Sequence, residues 1–387
     1  MEKHPLTFGL PRMHKEPGER RDFLPALVAE VAKLGVEVFV ERGIGSGMGL
    51  SDADYTAMSP RVHVVDAQEA YRQDVVLVLR CPEPEELTLL KRGATLISMI
   101  HFPTRPKRIK RLLELGLEAV SLDSIADDDG KRLVENMRAV AWNGVEAGFA
   151  ALAKNFPEFD DEARGPIRVT VMGAGLVGKH AVEAATKYGD RERATALDGK
   201  GLAGVEVTVL GRNLTGRWQY MRERFLHTDL LVDATQRSDP SRPLILNEWL
   251  GWLPQHAVVC DLVVDPYVLD GNPPTVRSLE GIPRGNLDQY AFWPEDPKWS
   301  DTVPTSIDSR NRRTAVTCYS WPGVHPMDCM ALYGRQLSPM LETLFRKGGA
   351  KDLQPDGDFF ERALCRASVS RWRDEGAPVE VDEGEPG

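Results

Sequence analysis

A chain of 387 residues has room for two domains of ordinary size, each with its own core. Its 42% hydrophobic and 27% charged residues are those of a soluble globular protein, and its formal charge of −10 argues against nucleic acid as the main partner. No apolar run approaches the roughly 20 residues of a membrane helix, and "MEKHPLTFGLPRMHKEPGERR" lacks the apolar core of a signal peptide, so a cytoplasmic protein without a membrane partner is expected.

In chain order, the first 125 residues alternate amphipathic helices with short apolar strands. "FLPALVAEVAKLG" reads as a helix and "EVFVE" as a strand. "DVVLVLR" and "ATLISMI" are strands, "RPKRIKRLLELG" is a basic helix, and "EAVSLDSI" is a strand again. This alternation predicts a parallel sheet wrapped by helices. After the polar break "ADDDGKR", residues 133–155 read as one long connecting helix, ended by "FPEFDDEARGP". A second alternating set follows: strand "IRVTVM", a helix over 176–188, then strands "VEVTVL", "DLLVDAT" and "AVVCDLVVD". The polar stretch between Tyr188 and Val205 reads as a surface excursion. From about 266 to 314 the chain is Pro-rich and irregular. "AVTCYSWPGVHP" is a strand and turn, and "DCMALYGRQLSPMLETLFRKGG" is a helix with a glycine stop. The acidic end, residues 373–387, has no apolar period and reads as disordered.

Cys81, Cys260, Cys318, Cys329 and Cys365 are odd in number, scattered, and free of any Cys-x-x-Cys pair. Reduced thiols are expected, and no metal site.

The strongest motif is Gly173-Ala-Gly175-Leu176-Val177-Gly178, placed between a strand and a helix. The first glycine permits a tight turn, the second lets a pyrophosphate approach the backbone, and the third lets the helix pack on its strand. A glycine turn without a ligand is the plainer alternative, but strand, spacing and helix agree. The next strand ends in Gly211-Arg212-Asn213, where such units usually place an acid that binds the cofactor ribose. An acid repels a 2′-phosphate; glycine makes room and a guanidinium pairs with it. Arg212, with Asn213 and Arg217 in support, therefore favours NADP(H) over NAD(H). Arg212 as a mere surface arginine in an NAD enzyme is the alternative.

Arg20, before the first long helix, Arg80, ending "DVVLVLR", and His101, just past "ATLISMI", stand where an α/β site forms. An arginine can clamp a carboxylate, and a histidine can move a proton near neutral pH.

"FGLPRMHKEPGERRDFLP", "GIGSGMGLSDADY", "LVLRCPEPEELTLLKRGATLISMIHF" and "VMGAGLVG" resemble the alanine dehydrogenase and pyridine nucleotide transhydrogenase family, of which saccharopine dehydrogenase is a more distant member. The likeness runs from Phe8 to about Leu344; near the end, "YSWPGVHPMDCMALYGRQL" is closer to the transhydrogenase soluble subunit. The resemblance implies an α/β protein of two Rossmann-like, doubly wound domains with a cleft between them, linked by long helices. Residues 1–130 with 326–372 are then a substrate domain, 131–325 a dinucleotide-binding domain, and 373–387 a tail. It also implies that Arg20 binds a substrate carboxylate, that His101 is catalytic, and that Asp265 lies by the nicotinamide and the substrate amine. Arg80 stands where the family has a lysine; it can hold a carboxylate but does not give up its proton. Pro266 and Tyr267 replace family glycines.

The expectation is an NAD(P)H-dependent oxidoreductase acting on the C–N bond of an amino acid or imine. Its substrate is an amino acid or 2-oxo acid, and a homo-oligomer is possible. An opine- or saccharopine-type enzyme is the first alternative, with Tyr267 and the 266–314 segment shaping a larger pocket. A transhydrogenase-like nucleotide-binding subunit and a non-catalytic NADPH sensor are the others.

Overall fold

The computed structural model describes residues 6–13, 17–102, 105–159, 161, 165–188, 204–271 and 273–374. The predicted excursion lies outside them at 189–203, as does the predicted tail from 375 onward; residues 373 and 374 close a helix, Val369–Asp374. Two compact units divide the chain, Met1–Asn136 with His325–Val381, and Met137–Val324.

The first unit is built on strands β1 (Thr7–Leu10), β2 (Glu37–Glu41), β3 (Val62–Val65), β4 (Val75–Arg80), β5 (Thr95–Met99) and β6 (Glu118–Ser121). They form one parallel sheet in the order β3-β2-β1-β4-β5-β6. Strand β4 is buried at every position before Arg80, as expected of a parallel strand covered on both faces. Strands β1 and β3 escape the sequence pattern because four residues cannot establish a period. Gly9 in β1 has a specific cause: a Cβ there would lie 1.9 Å from the Ala70 carbonyl oxygen. Helix Pro25–Lys33 starts on a proline and buries Leu27, Val28, Val31 and Ala32 on one stripe. The returning helix Pro326–Lys347 packs in the same core through Met330, Leu337 and Leu341 and stops at Gly348, whose φ of 92° is left-handed. A further helix, Phe359–Arg366, follows where no element was predicted.

The second unit opens with helix Met137–Asn155, four residues later than the sequence pattern placed it. Its strands are β7 (Ile167–Met172), β8 (Val205–Leu210), β9 (Leu230–Asp233), β10 (Val258–Asp261), β11 (Ala291–Phe292) and β12 (Thr314–Thr317). The sheet order is β11-β12-β10-β9-β7-β8, parallel except for β11. The long helix lies close on this sheet because it carries glycine: a Cβ at Gly144 would sit 2.3 Å from Leu262 Cδ2. The stretch read as irregular is partly ordered around Trp299, which is buried, packs with Phe292, Val303 and Ala315, and donates its indole N–H to the Gly281 carbonyl at 3.0 Å. Both units are thus α/β with doubly wound, parallel-dominated sheets.

Among the described residues no helix is long and apolar enough to cross a membrane, and no group of three or more His, Cys, Asp or Glu is placed to hold a metal ion. The five cysteines are free thiols, all buried except the half-buried Cys365.

Candidate functional site

The glycine turn follows β7 and leads into helix Leu176–Thr186, with Gly175 as N-cap. Gly173 has φ 102°, and a Cβ on it would lie 2.4 Å from the Ala234 carbonyl oxygen. A Cβ on Gly178 would lie 2.0 Å from the Gly173 carbonyl oxygen. The first and third glycines are therefore demanded by the chain itself. Gly175 is different: a Cβ there meets nothing within 4 Å. Its bareness serves no internal packing and leaves an open backbone face at a helix N-terminus, where peptide N–H groups attract an anion. A dinucleotide pyrophosphate fits that cradle. Leu176 and Val177 continue it as the first helical residues.

A cavity of about 750 Å³ opens beside this turn, lined among others by Gly173, Gly175, Leu176, Val177, Arg212 and Thr235. Gly211 caps the short helix Arg212–Thr215 at the end of β8, and a Cβ on it also meets nothing within 4 Å. Arg212 lies in the cavity wall; Gly178, Gly211 and Asn213 lie beside it in the chain without lining it.

Beyond β10 the chain turns sharply. Asp261 is buried, and its Oδ1 accepts the backbone N–H groups of Val263 and Val264 at 2.9 and 3.1 Å. Val264 is thereby held at φ 58°, a costly conformation for a β-branched residue. Asp265 follows directly. Its Oδ2 takes a 2.5 Å ion pair from Arg237 Nη2, while Arg237 also donates to the carbonyls of Arg242 and Val276 at 2.5 and 2.6 Å. Asp265 is thus fixed from two sides, its backbone by Asp261 and its carboxylate by Arg237.

A charged cluster lies beneath. Arg277 pairs with Asp261 and donates to Thr317 Oγ1 at 2.7 Å, with all three residues buried. Asp233, at the end of β9, is fully buried; its Oδ1 accepts from the Thr235 N–H and hydroxyl at 3.0 and 2.7 Å, and its Oδ2 has no hydrogen bond. Burial and the nearby Asp261 charge push the Asp233 carboxyl up to about 6. Tyr267 turns inward, donating its hydroxyl to the Ile282 carbonyl at 2.9 Å.

In the first unit, Arg20, Arg80 and His101 follow the carboxyl ends of β1, β4 and β5, three neighbours in the sheet. The order β3-β2-β1-β4-β5-β6 reverses between β1 and β4, the kind of switch point at which open α/β sheets bind ligands. Arg20 is exposed, its Cα 3.0 Å from where a Cβ on Gly47 would stand, so two chain segments meet closely there. The neighbouring Arg21 is buried and clamps Glu19 through Nε at 2.8 Å and Nη2 at 2.6 Å. Burial opposes the Glu19 charge, but Arg21, with a contribution from Arg80, outweighs it and holds the carboxyl below its usual range. Arg80 also acts on Tyr333, whose hydroxyl is pushed up chiefly by burial.

His101 sits at φ 58° with its side chain half exposed. Its backbone N–H donates to Asp123 Oδ1 at 3.2 Å and its Nδ1 lies 3.4 Å from Asp123 Oδ2. The Ser121 hydroxyl donates to the same carboxylate at 2.7 Å. Burial opposes the Asp123 charge, but His101 and Ser121 together hold its carboxyl well below the usual range. A carboxylate on Nδ1 fixes the orientation of the imidazole.

Sequence reasoning missed Asp123, Arg237 and Arg242. Each follows the carboxyl end of a strand, which was the available signal, but polar residues of loops such as "QRSDPSR" carry no pattern that singles one out.

A glycine cradle at the carboxyl end of a parallel strand, with a basic cavity beside it, defines a dinucleotide-binding protein of the Rossmann class. Residues 9–141 match the family model described as "Alanine dehydrogenase/PNT, N-terminal domain". The chain is 28% identical to an alanine dehydrogenase of Halomonas elongata over 287 residues, 67% of this chain and 73% of that protein. It is 25% identical to an NAD(P) transhydrogenase subunit alpha of Haemophilus influenzae over 395 residues, 97% of this chain and 73% of that protein. Its fold is similar to that of a solved L-alanine dehydrogenase, with a TM-score of 0.71, 20% identity and 94% of each chain covered. It is also similar to a transhydrogenase from Sinorhizobium meliloti, with a TM-score of 0.66, 18% identity, and 92% and 97% of the two chains covered. The matched domain and these relatives support the alanine dehydrogenase and pyridine nucleotide transhydrogenase family.

Proposed function

We propose that the protein is an NAD(P)H-dependent oxidoreductase acting on the C–N bond of an amino acid or imine, with NADP(H) preferred. The observation that carries this reading is the His101–Asp123 pair, a proton-transfer group oriented by a partly buried carboxylate past a strand end. Arg20 and Arg80 hold a substrate carboxylate. His101 Nε2 moves the proton to and from the carbonyl or carbinolamine oxygen. Asp265, whose Oδ1 has no partner among the described residues, stabilises the cationic amine. Gly173 to Gly178 seat the dinucleotide, which when bound supplies the hydride. Preference for NADP(H) is supported by Gly211 and Arg212, which put open space and a cation where an acid would repel a 2′-phosphate.

Oxidation of NADPH and of NADH, side by side, with 2-oxo acids and ammonia tests this. The reading expects turnover, faster with NADPH. It also expects His101→Ala to lose at least ~100-fold in kcat with an unchanged Kd for NADPH. A fully active His101→Ala would remove the role given to His101. Amino acids in place of ammonia as the productive donor would move the assignment to opine- or saccharopine-type chemistry.

One observation favours a second reading: the likeness to a transhydrogenase subunit alpha extends over 97% of this chain, against 67% for the alanine dehydrogenase. On that reading the protein is a nucleotide-binding subunit that passes hydride to a partner. Turnover of small substrates by the purified chain alone decides against it.

A further inference from the structure

The cavity beside the glycine turn carries Arg237 and Arg242 as well as Arg212, against one lining carboxylate, Asp239. These arginines are not equivalent. The Arg237 side chain is only 7% exposed, and its two terminal nitrogens are taken up by Asp265 and by backbone carbonyls. Arg237 is a tie. Arg242 is exposed, and its guanidinium has no hydrogen-bond or ion-pair partner among the described residues.

The base of Arg242 is nonetheless held firmly. Its carbonyl is the acceptor that Arg237 Nη1 grips at 2.5 Å. Just before it, Asp239 Oδ1 accepts the Ser241 N–H and hydroxyl at 2.9 and 2.5 Å. Pro240 and Pro243 fix φ on either side. The Asp239 carboxyl is held below its usual range first by these Ser241 bonds, then by the charges of Arg242 and Arg237. The sheet order β9-β7-β8 places Arg212, after β8, and the loop after β9 on opposite sides of the glycine turn.

We propose that Arg242 is a specificity-determining residue, a second guanidinium for the 2′-phosphate of NADP(H) that acts with Arg212. The proposal rests on the NADP(H) preference argued above. A phosphate monoester carries about −1.5 to −2 charges at neutral pH, so one arginine leaves it under-neutralised and two balance it. Because its backbone is already anchored, Arg242 loses only side-chain freedom on binding.

The test is fluorescence titration of NADPH and NADH onto the full chain, comparing wild type, Arg212→Gln, Arg242→Gln and the double variant, with melting temperatures as a check on folding. Wild type is expected to bind NADPH the more tightly. Arg242→Gln should weaken NADPH roughly tenfold and leave NADH within about twofold; the double variant should lose the preference. If Arg242→Gln leaves NADPH binding intact while Arg212→Gln weakens it, the role of Arg242 is overturned and the NADP(H) reading stands on Arg212. Equal weakening of both nucleotides would make Arg242 a loop residue and also overturn it. A wild type that binds NADH as tightly as NADPH overturns both.

Discussion

His101 occupies a left-handed backbone conformation that non-glycine residues rarely take, and it does so with its imidazole against a partly buried carboxylate. Strain of this kind persists only when its surroundings enforce it, and it gathers at functional sites. The enforcing group is Asp123, which takes both the backbone N–H and the ring of His101. Asp123→Asn is therefore expected to lower kcat by ~10- to 100-fold, with little change in KM, in steady-state assays. Arg80 should divide the other way: Arg80→Ala should raise KM for the acid substrate roughly 10- to 100-fold, with the smaller effect on kcat. Arg80 and His101 could be picked out in the sequence because they stand at the ends of apolar strands, and Arg20 by its place before the first long helix. Their partners could not, since His101 meets Asp123 across 22 positions and Arg237 meets Asp265 across 28.

At the scale of elements, the glycine turn is held by two contacts that admit no side chain. Gly173→Ala pushes a Cβ into the Ala234 carbonyl at a φ of 102°, so loss of nucleotide binding is expected in the same fluorescence titration. The ends of β9 and β10 carry a different tension, two buried acids of which Asp261 is paired with Arg277 and Asp233 with no arginine among the described residues. Asp233 titrates near 6 in the fold against about 3.8 for the free carboxyl, so its favourable contribution is present below about 4 and is lost as pH rises through 6. Asp233→Asn removes that loss. Its gain in unfolding free energy over wild type should be negligible near pH 4, grow to about 2–3 kcal/mol by pH 7, and stay level above; urea melts at several pH values measure it. A gain independent of pH would show that Asp233 is not the titrating group. Long buried strands such as β4 and β7 were legible as Val- and Leu-rich runs, and the glycine motif was legible through its strand–turn–helix setting. Strands β1, β3 and β11 were not, because two to four residues take their conformation from the neighbours they pair with.

For the molecule as a whole, the candidate residues fall into two sets, one on each sheet. One unit places Arg20, Arg80 and His101 past neighbouring strand ends, and the other carries the glycine cradle, the basic cavity and Asp265. The alternation of strands and helices made that plan readable, and the return of helix Pro326–Lys347 to the first unit became readable through the family resemblance. On the proposed function, hydride passes to the carbon bearing nitrogen. The most direct measurement of this is to supply NADPH deuterated at the transferring position, with a 2-oxo acid and ammonia or an amine, and to locate the label by mass spectrometry and NMR. One deuterium is expected on the α-carbon of an amino-acid product. Deuterium found instead on a second nicotinamide nucleotide, or on the carbinol carbon of a hydroxy acid, would contradict it.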